Sequence, residues 1–394
     1  MTNLRTTFLL VSVTNLIVNR PSSILGECQN MRSSVFLLSL VSLMISSSSA
    51  IQAESLPGST PARANIFTPK KLKIALIGDS GRKEGFGKVL DLIKREGAEM
   101  TVHLGDLAYD ERNPDAPQMF EDQINSVFGP SYPYLFLVGN HDVGHWFQQK
   151  PIGYSEILKR RIQNAPDLHC EGEPGVKASC TYKGLFFVIS GVGTFDVRHE
   201  EHIVQALSHA KDHVWRICSW HKNQHDMQAG RKASEVGWEA YKLCQRAGAM
   251  IITGHEHSYA RTKNLRHIGH RSRDHGAFGD PASLVLGLGK TFNVVTGLGG
   301  KSLRTFNCRH EKRAWWATVF TDNFLMQNGA IVHNECRDDA PPRALSAKPG
   351  GPTHYNFGAL FIEFHVDGDQ RMAKAEFKTI DGLVIDRFSI FSEL

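Results

Sequence analysis

The chain of 394 residues has no apolar run of the ~18–20 residues that a bilayer-spanning helix needs, so no membrane span is expected. It has no internal repeat and no Asn-x-Ser/Thr sequon, so no glycosylation site marks a surface loop. Lys and Arg (45) exceed Asp and Glu (40) only slightly and are scattered rather than striped, so no nucleic-acid partner is expected. A complete phosphate-binding loop is also missing. "GLGKT" (Gly287–Thr291) carries the end of one, but Leu284 stands where its first Gly is required. "GLGGKS" reads as a tight turn, and "GHEH" is not a His-Glu-x-x-His helix. What remains is globular composition, 41% apolar and 22% charged, with ample material for a large core.

From Met31, the favoured start over Met1, one Arg is followed by an apolar stretch, Val35 to Ile45, and then by small residues. Cleavage after Ala50 or Ala53 suits a secretory signal peptide. Residues 1–53 are therefore assigned to an extension and signal, 54–70 to a linker, and 71–394 to one domain. Six of the seven cysteines follow the signal. Cys170 and Cys180 flank a Gly/Pro-rich loop that a bridge could close, and Cys308 and Cys336 sit in loop-like sequence. Cys218 lies on an apolar strand and Cys244 on a helix, where a free buried thiol is the plain alternative to a bridge.

From Lys71 onward, short β-rich runs alternate with helical patterns: "LKIALIG", "FGKVLDLIKREG", "MTVHLG", "APQMFEDQINSVFG", "YPYLFLVG". That rhythm predicts βαβ units and a largely parallel sheet. Beyond a helix at 154–164 come "TYKGLFFVISG", a helix in "EEHIVQALSHA", "VWRICSW", a helix over 233–248 and "AMIITG". Residues 262–315 read as loop except for "FNVVTGLGG", and the tail reads as antiparallel strands with Asp-Gly turns. The spacing predicts a large α/β domain with a second sheet.

Five of these strands end in polar clusters: "GDSG" (Asp79), "GDLAY" (Asp106, Tyr109), "GNHD" (Asn140, His141, Asp142), "WHKNQH" (His221, His225) and "GHEH" (His255, His257). Ligands bind beyond the carboxyl ends of strands in open α/β sheets. An oxygen/nitrogen donor set without thiolate suits iron, manganese or zinc. Seven donors exceed the four to six of one cation, so two cations sharing Asp106 are expected. Two metals ~3.5–4 Å apart are the arrangement used for displacement at phosphorus, activating water as hydroxide and neutralising phosphate charge.

"GDSG … GDLAY … GNHD … WH … GHEH" resembles the metal signature of purple acid phosphatases, within the calcineurin-like metallophosphoesterases, over about Lys73 to Arg261. The tail resembles the closing strands of that family. The resemblance implies an α/β fold of two mixed sheets packed as a β-sandwich between helices, four layers in αββα order. It implies that Asp79, Asp106, Tyr109 and His257 hold one metal, and that Asp106, Asn140, His221 and His255 hold the other. Gly81 stands where many superfamily members carry a His, and Tyr109 supplies the missing donor; a phenolate favours iron(III), with iron, zinc or manganese in the second position. His141 is assigned phosphate contact or protonation of the leaving group, with Asp142 orienting its ring and His225 as a further catalytic candidate. Tyr259 and Arg261 are read as packing and anchoring residues, and His267, His270 and His275 as a solvated loop. The expected function is a secreted hydrolase of phosphate monoesters on small molecules or phosphoproteins. The alternatives are a phosphodiesterase or nucleotide-processing enzyme on the same core and, from another class, a secreted binding protein that has lost its metals. No room is left for the N-terminal β-sandwich domain of large plant-type members.

Overall fold

The computed structural model describes residues 69–269, 273–336 and 357–394. The extension, signal and most of the linker, together with His270, lie outside the described residues.

Two mixed sheets carry the fold. The first has seven strands in the order Ser283–Leu286, Val384–Ser392, Met372–Thr379, Gly358–Phe364, Leu72–Ile77, Met100–His103, Tyr134–Phe136. The second has ten, in the order Ala330–Asn334, Phe324–Gln327, Trp316–Phe320, Tyr259–Thr262, Asn293–Thr296, Met250–Thr253, Trp215–Trp220, Leu185–Ser190, Lys177–Tyr182, Leu168–Glu173. The parallel expectation holds only at the heart of each sheet. Leu72–Ile77, Met100–His103 and Tyr134–Phe136 run parallel, as do Leu185–Ser190, Trp215–Trp220, Met250–Thr253 and Asn293–Thr296. The tail strands pair antiparallel, and Gly358–Phe364 joins Leu72–Ile77 antiparallel.

Helices cover the outer faces because their apolar residues recur on one stripe. Glu84–Arg95 buries Phe86, Val89, Leu90 and Ile93, at helical spacing, and stops before Gly97, whose φ of 69° an L side chain tolerates poorly. It packs against Gly358–Phe364 and the helix Ala116–Phe128. On the other side, His199–His209 and Trp238–Arg246 pack together over the second sheet. The order of layers is helix, sheet, sheet, helix.

One apolar core joins the sheets, with Ile74, Leu76 and Val102 from the first and Phe187, Ile217 and Ile252 from the second. A polar clamp crosses the same interface. Asp386 accepts from Tyr259 Oη (2.7 Å), from Arg261 Nε and Nη2 (2.6 and 2.9 Å) and from Thr318 Oγ1 (2.9 Å). Tyr259 and Arg261 are thus anchoring residues, and every atom of the buried ion pair that needs a partner has one.

Several sequence expectations need correction. Cys218 and Cys244 are not free thiols: they form a disulfide that ties Trp215–Trp220 to the helix Trp238–Arg246. Closing its 26-residue separation removes unfolded-chain entropy of roughly 3–4 kcal/mol on the loop-closure account. Cys170 and Cys180 pair across a hairpin, and Cys308 pairs with Cys336. The helix read over 233–248 starts only at Trp238: Gly237 before it has extended backbone (φ −69°, ψ 155°), and the Glu235 N–H donates to the Asn223 carbonyl. Strands Ser283–Leu286, Trp316–Phe320, Phe324–Gln327 and Ala330–Asn334 were not read from the sequence. His275 is not solvated: it is buried against Trp238 and Trp315.

Candidate metal centre

The carboxyl ends of the central parallel strands of both sheets meet at one place. Asp79 follows Leu72–Ile77, Asp106 and Tyr109 follow Met100–His103, and Asn140 and His141 follow Tyr134–Phe136. From the other sheet, His221 follows Trp215–Trp220, and His255 and His257 follow Met250–Thr253. Four of these residues have left-handed backbone: Asp79 (φ 59°), Asp106 (57°), Tyr109 (52°) and His255 (69°). Non-glycine residues rarely adopt that region, and its concentration here is the strain expected of a functional site.

Two donor groups result. Tyr109 Oη lies 2.9 Å from Asp79 Oδ1 and 2.9 Å from His257 Nε2, and His257 Nε2 is 3.4 Å from Asp79 Oδ1. In the second group, His221 Nε2 lies 3.2 Å from Asp106 Oδ1 and 3.1 Å from His255 Nδ1. The groups share a wall, for the His255 N–H donates to Asp79 Oδ2 at 2.7 Å. Asn140 sits between Gly139 and His141, whose N–H donates to Asp106 Oδ1 at 3.0 Å. Glycine is required at 139, because a Cβ there would stand 2.3 Å from Asp106 Oδ1.

Each histidine is fixed through the nitrogen that faces away from the cluster. His221 Nδ1 donates to the Leu104 carbonyl (2.7 Å), and His255 Nε2 donates to Glu235 Oε2 (2.7 Å). His257 Nδ1 is 2.6 Å from Ser302 Oγ. The inward nitrogens of His221 and His255 therefore present lone pairs to a carboxylate and to one another, which only a cation or a proton reconciles. The buried Asn140 Oδ1 has no hydrogen-bond partner among the described residues. These residues fit metal ions.

The electrostatics agree. Burial opposes ionisation of Asp106, but His221, hydrogen bonding and His141 overcome it and hold the carboxyl below its usual range. Burial likewise pulls His221 down, yet Asp106 and Asp79 outweigh it and lift the ring to about 9. In the bare protein a proton does the work of a cation. Burial, with the charge of His221, pushes His255 down to about 3. Tyr109 is raised far above an ordinary phenol by burial and by Asp79 and Asp106, so ionising it requires a strong positive charge beside it.

Asp142 does not orient His141. Its carboxylate accepts the backbone N–H groups of Asp106 (2.8 Å), Leu107 (2.9 Å) and Gly139 (2.8 Å), and so shapes the turn that carries Asp106. Burial and the Asp106 charge push it up to about 8, against the pull of those donors. Glu111 is the residue that meets His141, at Nδ1. His225 joins neither donor group; its contacts are with Lys232, Asn307 and His310. Glu111, Glu235 and Ser302 escaped sequence reasoning because nothing local marks them: Glu235 is an ordinary acid in a polar stretch.

Beside Tyr109 lies a cleft of 500 Å³ lined by Arg82, Lys83, Asp110 and Lys301, among others, with Lys301 Nζ 4.2 Å from the Tyr109 ring centroid. A separate cleft of 580 Å³, lined by Lys73, Glu96, Phe361 and Phe388, includes none of the donor residues.

Residues 72–259 match the family of calcineurin-like phosphoesterases. That stretch, a little under half of the chain, is similar to a calcineurin-like phosphoesterase domain. That family implies a dinuclear metal centre, and the matched stretch contains all seven donors. A purple acid phosphatase from yellow lupin (Lupinus luteus) seeds has the same fold, with a TM-score of 0.56, 16% identity, and coverage of 82% of this chain and 54% of that one. The chain thus spans about half the length of the lupin protein. GAP50, the anchor in the inner membrane complex of Plasmodium, aligns at a TM-score of 0.45 and 14% identity, over 82% of this chain and 90% of that one. A dimetal phosphatase from Danio rerio aligns at 0.40 and 9%, over 82% and 99%. No protein of curated function matches the chain. Among the described residues no helix is long and apolar enough to cross a membrane, and three disulfides fit an oxidising compartment.

Proposed function

We propose that this domain is a secreted hydrolase of phosphate monoesters, of acid phosphatase type, working with two metal ions. The observation that carries the reading is the pair of inward lone pairs on His221 and His255 beside the buried Asp106 carboxylate, with the partnerless Asn140 Oδ1 and with Tyr109, Asp79 and His257 gathered within hydrogen-bond distance. Asp79, Tyr109, His257 and Asp106 would hold one ion; Asp106, Asn140, His221 and His255 would hold the other. When bound, the ions supply activation of water and neutralisation of charge on the phosphoryl oxygens.

The chain's own residues supply the rest. Lys83 and Lys301 give the adjoining cleft, where Arg82 is paired with Asp110, a net basic wall that favours a terminal, doubly charged phosphate over a diester. His141, its side chain 38% exposed and its Nε2 3.9 Å from Asp106 Oδ2, stands at the rim of the centre. Glu111 holds Nδ1, so Nε2 is the atom free to bind a phosphate oxygen or pass a proton to the leaving alkoxide. Asp142 keeps the Asp106 turn in shape. The suppressed ionisation of Tyr109 favours iron(III) at its site, since a trivalent ion opposes burial best. The signal-like segment before residue 54 and the three disulfides support secretion.

The test is phosphate release from a chromogenic monoester and from a chromogenic diester, each with and without chelator. Chelator-sensitive turnover of the monoester is expected. Turnover of the diester alone would move the reading to a phosphodiesterase, and no turnover of either by metal-loaded protein would leave a binding protein.

A further inference from the structure

A second histidine pair lies outside the centre, and its geometry is that of a ligand pair. His225 Nδ1 is 2.8 Å from the Lys232 carbonyl oxygen, and His310 Nδ1 is 3.2 Å from the Gln228 carbonyl oxygen. A carbonyl only accepts, so each ring carries its proton on Nδ1 and presents a bare Nε2. Those two Nε2 atoms face each other at 3.2 Å. Two lone pairs at that distance repel unless something positive lies between or beside them. The Asn307 amide offers little relief: Nδ2 lies 3.4 and 3.3 Å from the two nitrogens, longer than an ordinary hydrogen bond. Burial pushes His310 down to about 4, so that ring resists taking up a proton itself.

The distances suit a cation. Two imidazole nitrogens on one tetrahedral zinc, each ~2.0–2.1 Å from it, stand roughly 3.3 Å apart. A ligand atom of Asp226 lies within 4.8 Å of those of both histidines, and among the described residues its carboxylate has no hydrogen-bond partner. His310 is 1% exposed, while His225 and Asp226 are half-buried, so water can complete the coordination.

We propose that His225, Asp226 and His310 form a third divalent-cation site, of zinc class, separate from the dinuclear centre. The ion cross-links the segment 225–232 to the loop at Cys308–His310, which the Cys308–Cys336 disulfide closes. Its purpose is positional. Lys232, whose carbonyl holds His225, also donates through Nζ to the His255 carbonyl, and Glu235 just beyond orients the His255 ring. The site therefore braces the segment that supports one of the expected metal ligands from behind.

The test is zinc and cobalt(II) titration of chelator-treated, full-length mature protein, read by equivalents bound and by the d–d absorption of tetrahedral cobalt. Wild type is expected to bind three equivalents, and His310→Ala two, with the cobalt bands of the third lost. Asp106→Asn, which disrupts the dinuclear centre, is expected to keep the third. If His310→Ala fails to fold, His225→Gln at the half-buried partner serves for the same count. Equal stoichiometry and equal cobalt spectra in wild type and either His variant would overturn the proposal and leave a hydrogen-bonded imidazole pair. Loss of metal only in Asp106→Asn would overturn it too, while the dinuclear reading would stand.

Discussion

Replacing Glu235 by Gln isolates a single physical effect, the orientation of a metal ligand by a residue that does not itself bind metal. Glu235 Oε2 accepts the Nε2–H of His255 at 2.7 Å, while Oε1 accepts from Lys222 Nζ at 2.6 Å. The amide keeps the length and one acceptor oxygen, so the carbon skeleton fits unchanged. It loses the charge that strengthens the His255 bond and raises the basicity of Nδ1. It also offers an NH₂ where an acceptor is needed, so either His255 or Lys222 loses its partner. Such outer partners are worth 10- to 100-fold in metal affinity, or about 1.4–2.8 kcal/mol at 1.4 kcal/mol per factor of ten. The Glu235 side chain is 29% exposed and screened by water, so global stability is expected to change by less than about 1 kcal/mol. The assay is competition for the metal against a chelator of known affinity, beside thermal unfolding of the metal-free protein. A variant with wild-type affinity would refute the orienting role. An equal fall in metal-free stability would show instead that Glu235 acts through the fold.

Asp106→Asn should lose metal and nearly all turnover together, since one carboxylate is expected to serve both ions; metal analysis with the monoester assay checks it. His141→Ala should keep its metal while kcat falls by roughly 10²–10⁴, and lost metal would instead make His141 a ligand. Tyr109→Phe should fold and bind metal but lose the violet or pink phenolate-to-iron(III) band of the oxidised wild type, so a coloured variant would put the chromophore elsewhere. Metal-free protein should lose thermal stability as pH rises from 6.5 to about 9: His221 is raised to about 9 by Asp106 against its burial, so its contribution is complete below 6.5 and gone above the folded value. Metal-loaded protein should show no such fall, and a flat metal-free profile would contradict the Asp106–His221 pairing.

The alternating half of the fold was readable because each element there obeys its own period. "LKIALIG" and "MTVHLG" are short β-rich runs, and Phe86, Val89, Leu90 and Ile93 repeat at helical spacing. The strand-end clusters were equally plain, because a polar pair directly after a buried strand has no packing reason to be there. Ser283–Leu286 was hidden: its four residues lie between Gly-rich turns and pair with Val384–Ser392, about a hundred residues away. The Cys218–Cys244 bridge was hidden for a related reason, since a cysteine in an apolar run looks the same bonded or free. The left-handed backbone of Asp79, Asp106, Tyr109 and His255 leaves no trace in composition either, because it follows from contacts such as the one that makes Asp142 grip the Asp106 turn.

Residues 221–237 bring these strands of reasoning together. The sequence favours a helix there from 233, and the chain gives up its first turn. In exchange, the Glu235 N–H reaches the Asn223 carbonyl, the Glu235 side chain reaches His255, and Lys232 reaches the His255 backbone. The broken helix is therefore the local conflict expected where function overrides propensity. It also accounts for the place of His225: a segment at the edge of a charged centre, held by hydrogen bonds and by the burial of Met227 and Ala229, gains from a second anchor. The Cys308–Cys336 loop meets it at that point, where Asn307 N–H donates to the Ala229 carbonyl.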